Sequence, residues 1–497
     1  MGNADHNDAI HCPAEKSPIS YAVCKARQRR HFERCAECGV SKEQQQTDPA
    51  QKMDQTRLAV FRPDGILGVY PDQMDEHLTR KIGAALAQLI QREPLVVGRD
   101  MRPSSGPLAK AARAGINSTG VNVVDIGLCS TEIFTFAIAH YKRQGGVMVT
   151  GGRDPRQYNG LRICRENAAL LTSKSGISNI QAIVERGLAS AVSVAGRVET
   201  SDPFFEYRDH ILSFAPPIRK MRIAVDAANG MAAKVVPAIL SKTECEVVPL
   251  NFELDGTFPG HNPDPLDKDN LKDLRKRVIE SGADLGLAFD GDAGRCVFVD
   301  EHGEMICPDV ITAVLAREAL SRESHATIVY DLRSSRVVSE EIRRAGGIPC
   351  QVPAGHIHMR AALRKRQGAF GGGPEACYCF REHFYSDSAM IALLKVLGML
   401  TAENKTLSQL VMPLRRYYRT GELEVKVADK DERIHALARH FTNGKINYLD
   451  GITVEFENWW FNARKAEVGP FLKVNLEATS PDVMAQARQT VLGVIEG

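Results

Sequence analysis

Short apolar segments alternate with longer amphipathic segments along most of the chain. Leu95–Val97, Val121–Ile126 and Val147–Thr150 each predict a strand, because short segments rich in apolar and β-branched residues are typical of buried strands. Ser104–Ala114 predicts a helix, and Gly115 is placed to end it. Strands separated by helix-length segments indicate βαβ units and largely parallel pairing.

The same alternation recurs twice further along the chain. Ile223–Val225 begins a second block and Thr327–Tyr330 begins a third. After about Pro413 the pattern changes, and an α+β domain is expected from three strands and a final helix at Glu422–Val427, Ile452–Phe456, Leu472–Leu476 and Pro481–Val494. The predicted fold class is therefore α/β, with three successive α/β domains of mixed, mostly parallel sheets plus a C-terminal α+β domain.

Composition narrows the class of protein. The 497 residues suffice for three or four domains of about 100–200 residues each, and 43% hydrophobic residues suffice for proper cores. A net charge of +2 gives no reason to expect nucleic acid or a membrane as partner. No window approaches the roughly 18 apolar residues of a membrane span, and no secretory signal begins the chain. Twelve cysteines without an export signal favour free thiols in the cytoplasm.

Residues 1–52 differ from the rest of the chain. They are polar and lack sustained periodicity, which favours a disordered N-terminal extension. The cysteines there could supply four zinc ligands, but their spacing fits no standard pair of knuckles, so Zn²⁺ is not expected at Cys12, Cys24, Cys35 and Cys38. A misassigned start is a further alternative, since Met53 lies just ahead of the regular pattern.

The segment Ser281–Arg295 carries the densest candidate chemistry. An apolar strand, Leu285–Phe289, runs directly into Asp290 and Asp292, with small residues between and after them. Two carboxylates on a tight loop suit Mg²⁺, which usually binds one or two carboxylates together with a phosphate. Arg295 would then hold a phosphate oxygen. The alternative interpretation is an ordinary charged turn between two strands.

These residues, with Leu254–Pro265 ahead of them, resemble the metal loop of the α-D-phosphohexomutase family (phosphomannomutase/phosphoglucomutase). The resemblance implies four domains around a central cleft and interconversion of sugar 1-phosphates and 6-phosphates. Domain boundaries near Asp202, Cys307 and Pro413 agree with both the pattern of elements and this resemblance. The expected segments are an N-terminal extension and domains I to IV, at 1–52, 53–202, 203–306, 307–413 and 414–497.

The family's first loop carries a phosphoserine, and here the matching segment is Thr150–Pro155 with Asn159-Gly160 after it. Gly152 stands at the serine position and Arg153 follows it. Covalent phosphoryl transfer requires a nucleophilic atom at that place, and glycine has none. Thr150 and Asp154 carry oxygens, but each is two residues away.

The second and third loops also depart from the family's pattern. Asp290 and Asp292 match two metal ligands, whereas Gly294 replaces the third, so Mg²⁺ binding is expected to be weak. In the sugar loop Glu375 is a partial match, and the following serine is missing. His356 retains the family's Gly-His pair.

In the fourth, phosphate-binding loop, Arg464 and Lys465 remain. Ala466, Glu467 and Val468 replace the Ser, Asn and Thr positions. Glu467 brings a like charge to a phosphate's place. The resemblance further assigns phosphate-binding roles to Arg62, Arg99 and Arg102.

Three hypotheses follow. The leading one is a catalytically inactive relative, in which Arg295, Arg464 and other retained cations still bind a sugar phosphate or another small anion and the chain serves a regulatory or assembly role with a partner protein or as a homo-oligomer. The second is an active phosphomannomutase/phosphoglucomutase with a displaced nucleophile. The third is a different sugar-phosphate enzyme that uses Cys377 or Cys379, although buried cysteines are more often structural.

Overall fold

The computed structural model describes residues 9–10, 19–20, 57–91, 94–187 and 194–497. The chain divides into two compact units, Met1–Val60 and Phe61–Gly497. The first unit contains a two-residue antiparallel pair, β1 (Ala9–Ile10) and β2 (Ile19–Ser20), in a stretch where we expected no regular structure. The cysteines of the zinc hypothesis lie outside the described residues. All of the features below belong to the second unit.

The first domain is a seven-stranded mixed sheet flanked by helices. Its strands are β3 (Phe61–Arg62), β4 (Gly65–Val69), β5 (Leu95–Arg99), β6 (Val123–Leu128), β7 (Gly145–Val149), β8 (Tyr158–Arg165) and β9 (Val198–Thr200). Its helices are α1 (Glu76–Ile90), α2 (Ser105–Asn117), α3 (Thr131–His140) and α4 (Ile177–Arg186). The strand order is β3-β4-β8-β7-β5-β6-β9, with parallel pairing from β7 through β9. The three strands predicted here are confirmed, and each predicted end lies within about two residues of the observed end.

Helix α2 corrects the role expected of Gly115. The helix continues through this glycine to Asn117. A Cβ atom on Gly115 would lie 2.0 Å from the carbonyl oxygen of Arg80 in α1, and one on Gly83 would lie 2.3 Å from that of Ala112 in α2. The two glycines therefore allow α1 and α2 to pack in backbone contact, and Gly115 does not end the helix.

The second and third domains repeat a smaller α/β plan. After α5 (Phe204–Leu212), the second sheet has the order β11-β10-β12-β13, and the third has the order β15-β14-β16-β17-β18. Both begin with parallel pairs and end with antiparallel ones. The elements of the second domain are β10 (Arg222–Asp226), α6 (Ala232–Leu240), β11 (Glu246–Leu250), α7 (Lys272–Ser281), β12 (Leu285–Phe289) and β13 (Cys296–Asp300). Those of the third are α8 (Pro308–Arg322), β14 (Thr327–Asp331), α9 (Arg336–Arg344), β15 (Ile348–Val352), α10 (His356–Arg366), β16 (Phe370–Gly372), β17 (Tyr378–Phe380), β18 (Ser386–Asp387), α11 (Ala389–Ala402) and α12 (Leu407–Val411).

The C-terminal domain is an antiparallel sheet with two helices, as the change of pattern predicted. Its elements are β19 (Tyr418–Lys426), α13 (Lys430–His440), β20 (Lys445–Asn447), β21 (Ile452–Glu455), β22 (Trp459–Lys465), β23 (Phe471–Ala478) and α14 (Pro481–Glu496). The order is β19-β23-β22-β21-β20. Strand β22 was not predicted, because its polar residues were assigned to a loop that in fact begins only at Ala466.

One apolar core joins the first three domains, and a separate core lies under the C-terminal sheet. In the described part of the chain, no helix is long and apolar enough to cross a membrane.

Candidate active site

Two adjoining cavities lie where the loops of the four domains meet. The smaller, of 240 Å³, surrounds Thr150–Asp154, and the larger, of 890 Å³, extends to the C-terminal domain. Their linings share four residues, Asp64, Arg153, Arg295 and His356. The central cleft that the resemblance implied is therefore present, and residues from all four domains line it.

Gly152 lies in a turn that lines the smaller cavity. Its φ is +52°, a left-handed conformation that glycine adopts without strain. A Cβ atom built on it would lie 3.9 Å from both Arg295 Nη1 and Asp292 Oδ2. The missing side chain would thus point at the metal loop, into open space. The nearby Thr150 hydroxyl donates to Asp292 Oδ2 at 3.3 Å and accepts from the Gly152 amide at 2.9 Å.

Arg102 fixes the loop that contains Gly152 through hydrogen bonds to its backbone. Its side chain is buried, and its guanidinium donates at 2.7–3.0 Å to four backbone carbonyls, those of Gly152, Asp154, Pro155 and Tyr158. It also pairs with the buried Asp100, at 3.3 Å. The expected phosphate-binding role is therefore wrong for Arg102, because every hydrogen-bonding direction of the fork is used within the protein. Arg99 likewise lies outside both cavity linings and donates to the Asp100 carbonyl at 3.3 Å.

The two aspartates of the metal loop are also paired within the protein. Asp290 is fully buried and forms an ion pair with Arg295 at 3.1 Å. Asp292 accepts from Thr131 Oγ1 at 2.5 Å and, as given above, from Thr150. Burial, and then repulsion from Asp292, raises the pKa of Asp290 above its ordinary value.

This donor set does not fit a tightly held Mg²⁺. Gly294 brings no third carboxylate, and Arg295 already neutralises one of the two that remain. Among the described residues there is no group of three or more carboxylate, imidazole or thiol side chains with the geometry to hold a metal ion.

In the third domain, Glu375, in the loop between β16 and β17, and His356, at the start of helix α10, both line the larger cavity. Glu375 pairs with Arg333 at 2.7 Å and lies 4.0 Å from His356 Nδ1. Burial opposes ionisation of Glu375, but Arg333 and His356 outweigh it and lower its pKa. Burial lowers the pKa of His356 to about 4, and its Nε2 atom has no hydrogen-bond partner among the described residues. His356 is thus neutral at pH 7.

The fourth loop shows the same internal pairing. Arg464 lies in strand β22 and is 5% exposed. It donates to Asn475 Oδ1 at 2.8 Å and also to Glu422. Lys465 points to Asp431, with its Nζ 2.6 Å from Oδ1. Glu467 and Val468 are exposed on the loop itself.

The two candidate cysteines are poor nucleophiles. Both Cys377 and Cys379 are buried. Burial raises the pKa of the Cys377 thiol to about 12, and that of Cys379 well above its usual value. Because the thiolate is the reactive form, neither side chain suits nucleophilic catalysis.

A smaller set of cations faces the cleft with weak or no carboxylate partners. Arg62 is exposed at the mouth of the smaller cavity, and Lys174 lines the larger one. Arg153 is 3.9 Å from Asp264, with 38% of its side chain exposed. No ion pair within the described residues engages Arg62 or Lys174. These three cations are the groups most available to an incoming anion.

Sequence reasoning missed Lys174, Arg162, Arg333 and Lys473, all of which line a cavity. Arg333 could have been found, because it follows the end of β14 in the third block as Arg102 follows β5 in the first. Lys473 and Arg162 lie within strands, and nothing in the sequence shows which face of a strand meets the cleft.

Comparison with known proteins identifies the family. Residues 58–190, 204–303 and 307–417 match the family models described as phosphoglucomutase/phosphomannomutase, alpha/beta/alpha domains I, II and III. Together these ranges cover more than half of the chain. The chain therefore belongs to the phosphoglucomutase/phosphomannomutase family.

Relatives match over nearly their whole length. The phosphohexose mutases protein of Xanthomonas campestris pv. campestris is 32% identical over 446 residues, which is 88% of this chain and 100% of the relative. The phosphomannomutase of Escherichia coli K12 is 31% identical, over 88% of this chain and 98% of the relative. Among solved structures, a phosphoglucomutase/phosphomannomutase family protein from Burkholderia thailandensis superposes with a TM-score of 0.82 at 27% identity, covering 88% of this chain and 97% of its own.

Proposed function

We propose that this protein of carbohydrate metabolism binds a phosphorylated sugar, or a small anion like it, in the cleft without mutase turnover. The observation that carries the proposal is Gly152. At the point that faces Asp292 and Arg295 at 3.9 Å, no atom is present that could accept and return a phosphoryl group.

The neighbouring oxygens do not replace the missing nucleophile. Thr150 is 7% exposed, and its hydroxyl already donates to Asp292. Asp154 lies among arginines, and burial, the largest effect, raises its pKa. Arg102 holds the Asp154 carbonyl at 2.7 Å and that of Gly152 at 2.9 Å, so a shift of Asp154 into Gly152's place would break these hydrogen bonds.

The first test is turnover by the full-length chain. Mannose 1-phosphate and glucose 1-phosphate are supplied with Mg²⁺ and the matching 1,6-bisphosphate, and formation of the 6-phosphate is followed. We expect none from the natural chain and measurable turnover from the Gly152→Ser, Gly294→Asp double variant. Turnover by the natural chain would overturn the proposal in favour of an active mutase, and the intact mass of the protein would then show whether Thr150 or Asp154 is phosphorylated.

The second test is binding. Calorimetric titration with glucose 6-phosphate should give a dissociation constant that Arg153→Gln weakens by about tenfold, the usual effect of losing one charge-assisted hydrogen bond. Arg156→Gln is the matched control, because Arg156 is an exposed arginine of the same loop and lies outside both cavity linings. Equal weakening by the two variants would show that only general charge attraction is at work.

Three further assignments belong to this proposal. Magnesium binds weakly at most, through Asp290 and Asp292, and Gly294→Asp should tighten it. The chain acts in the cytoplasm. Its role is regulatory or depends on assembly, either with a partner protein or as a homo-oligomer, and sedimentation of the purified chain with and without glucose 6-phosphate is the direct check.

A further inference from the structure

Three cations line the larger cavity near the C-terminal domain, and one carboxylate contacts all of them. The cations are Arg333, Arg464 and Lys473, and all three belong to the cavity's lining. Glu422, on strand β19, is not part of the lining. Glu422 is nonetheless an exposed residue, and Glu424, on the same strand, does line the cavity.

Each cation contacts this one side chain. Arg464 donates through Nη2 to Glu422 Oε2, and Lys473 Nζ lies 2.8 Å from Glu422 Oε1. Arg333 Nη1 is 3.8 Å from Glu422 Oε2. Burial opposes ionisation of Glu422, but Arg464 and Lys473 outweigh it and lower its pKa, so the group is charged at neutral pH.

The two arginines have further partners within the protein. The second terminal nitrogen of Arg464 donates to Asn475 at 2.8 Å and to Asn462 at 3.2 Å. Arg333 is held by Asp331 at 2.6 Å and by Glu375 at 2.7 Å. An external anion at this end of the cleft would have to displace Glu422 from Arg464 and Lys473 before it could form comparable contacts.

We infer that Glu422 is an internal counter-anion, which occupies the cations of a latent oxyanion site formed by Arg333, Arg464 and Lys473 and keeps an external phosphate group from binding there. An attached carboxylate competes at a high effective concentration, since no association entropy is lost when it binds. The inference deepens the proposed function and rests on it to the extent that the cleft takes anions.

The consequence is a cleft with two unequal ends. At the Gly152 end, Arg62, Arg153 and Lys174 have weak or no carboxylate partners in the described chain. At the other end, Glu422 pairs with Arg464 and Lys473, while Asp331 and Glu375 pair with Arg333. A phosphorylated ligand therefore places its phosphate beside Arg153. The part of the ligand farthest from the phosphate lies against Arg464 and Lys473, whose charges are already paired with a carboxylate.

The test is titration of the full-length chain with inorganic phosphate, followed by calorimetry. Glu422→Gln keeps the shape of the side chain and removes its charge, so a second phosphate should bind at least about tenfold more tightly than any second event in the natural chain. Glu424→Gln is the matched control. Glu424 lies two residues away on the same strand, lines the cavity and is 3.8 Å from Lys473, but it has no contact with Arg464. We expect this control to change the affinity by about threefold or less, as for an exposed pair.

Two outcomes would overturn the inference. One is an equal gain from Glu422→Gln and Glu424→Gln, which would mean that only the total charge of the cleft matters. The other is a higher affinity for the second phosphate that persists in the Glu422→Gln, Arg464→Gln double variant, which would mean that this phosphate binds elsewhere. Should Glu422→Gln fail to fold, Glu422→Asp retains the charge, shortens the reach to Arg464, and must still give a partial gain.

The same titrations separate this inference from the proposed function. If Arg153→Gln abolishes phosphate binding, the phosphate binds at the Gly152 end of the cleft. If Arg464→Gln abolishes it, the phosphate binds at the other end. Turnover by the natural chain would refute the proposed function, but the phosphate titrations of Glu422→Gln would still test the inference about Glu422.

Discussion

Arg102 donates a hydrogen bond to the carbonyl oxygen of Gly152 at 2.9 Å. The same guanidinium reaches the carbonyls of Asp154, Pro155 and Tyr158, so one buried side chain fixes the backbone from the position where a phosphoserine would be expected to the start of β8. The backbone of this loop is therefore held in one conformation by a residue that lies outside it.

The first prediction concerns this contact. Arg102→Met should lower the free energy of unfolding by about 3 kcal/mol, because four carbonyls and the carboxylate of Asp100 would lose their buried donor. Urea unfolding followed by circular dichroism measures the change. Tryptophan fluorescence would not serve, since both tryptophans, Trp459 and Trp460, lie in the C-terminal domain.

Arg99→Met is the control for Arg102→Met. Arg99 was expected to bind phosphate for the same reason, but it makes one backbone contact at 3.3 Å, so the loss should be no more than about 1 kcal/mol. Equal losses from the two variants would contradict the clamping role of Arg102.

The second prediction concerns the helix pair α1 and α2. Gly115→Ala should cost about 1–3 kcal/mol, since the new methyl group would overlap the Arg80 carbonyl, which is backbone and cannot rotate away. Gly106→Ala, in the same helix, has nothing within 4 Å of the added atom and should be neutral or stabilising by up to about 1 kcal/mol. Thermal unfolding of the two variants side by side measures the difference, and a loss from Gly106→Ala as large as that from Gly115→Ala would contradict the packing argument.

Gly115 also shows where sequence reasoning reaches its limit for the fold. Strand β12 was predicted to the residue, because five apolar residues in a row between polar ones leave little choice. A glycine near the end of a helical pattern has two explanations, termination and close packing. Only the position of α1 decides between them. Strand β22 was missed for a related reason, since Asn462, Arg464 and Lys465 are polar and Asn462 and Arg464 are nonetheless buried.

The third prediction concerns the strain that a side chain would introduce at Gly152. Gly152→Ala should cost about 1 kcal/mol of unfolding free energy, because a φ of +52° disfavours any residue with a Cβ atom, while the added atom itself meets nothing closer than 3.9 Å. Gly127→Ala is the matched control, with a φ of +63° and open space around the position. The two losses should agree within about 0.5 kcal/mol by chemical denaturation. A much larger loss at Gly152 would mean that the loop cannot accept a serine, and the turnover of the double variant would then be uninformative.

For the cleft, sequence reasoning identified loops better than it identified the role of each side chain. The loop frames around Gly152, Asp290, Glu375 and Arg464 all reach the two cavities or their walls. What each charged group contacts depends on residues distant in sequence, such as Glu422 for Arg464, which is 42 residues away. A sequence motif shows which types of residue are present. Whether a charged side chain can bind a ligand depends on the partners that the folded chain brings to it.

The fourth prediction concerns Glu132, a carboxylate on α3 that is buried against the start of α11. It accepts from the hydroxyls of Tyr207 at 2.6 Å and Ser388 at 2.8 Å, and from the amides of Ala389 at 2.6 Å and Met390 at 3.4 Å. Burial outweighs these donors and raises the pKa of Glu132 from 4.5 to about 7. The folded protein therefore holds a proton there that the unfolded chain releases between those two values.

The sign of the pH dependence follows from this difference in proton binding. The contribution of Glu132 to stability is fully present below its unfolded pKa of 4.5 and is lost as the pH rises to about 7. Glu132→Gln cannot titrate, so the natural chain should exceed the variant in unfolding free energy by more at pH 5 than at pH 8, by about 2–3 kcal/mol. Urea unfolding by circular dichroism at the two pH values measures the difference, and Glu199→Gln, at an exposed glutamate of β9, should show no such change. The difference in unfolding free energy between the natural chain and Glu132→Gln could instead stay constant or widen at pH 8. The four donors would then keep Glu132 ionised in the folded protein, so that a carboxylate, and not a carboxylic acid, joins the first domain to the third between pH 5 and pH 8.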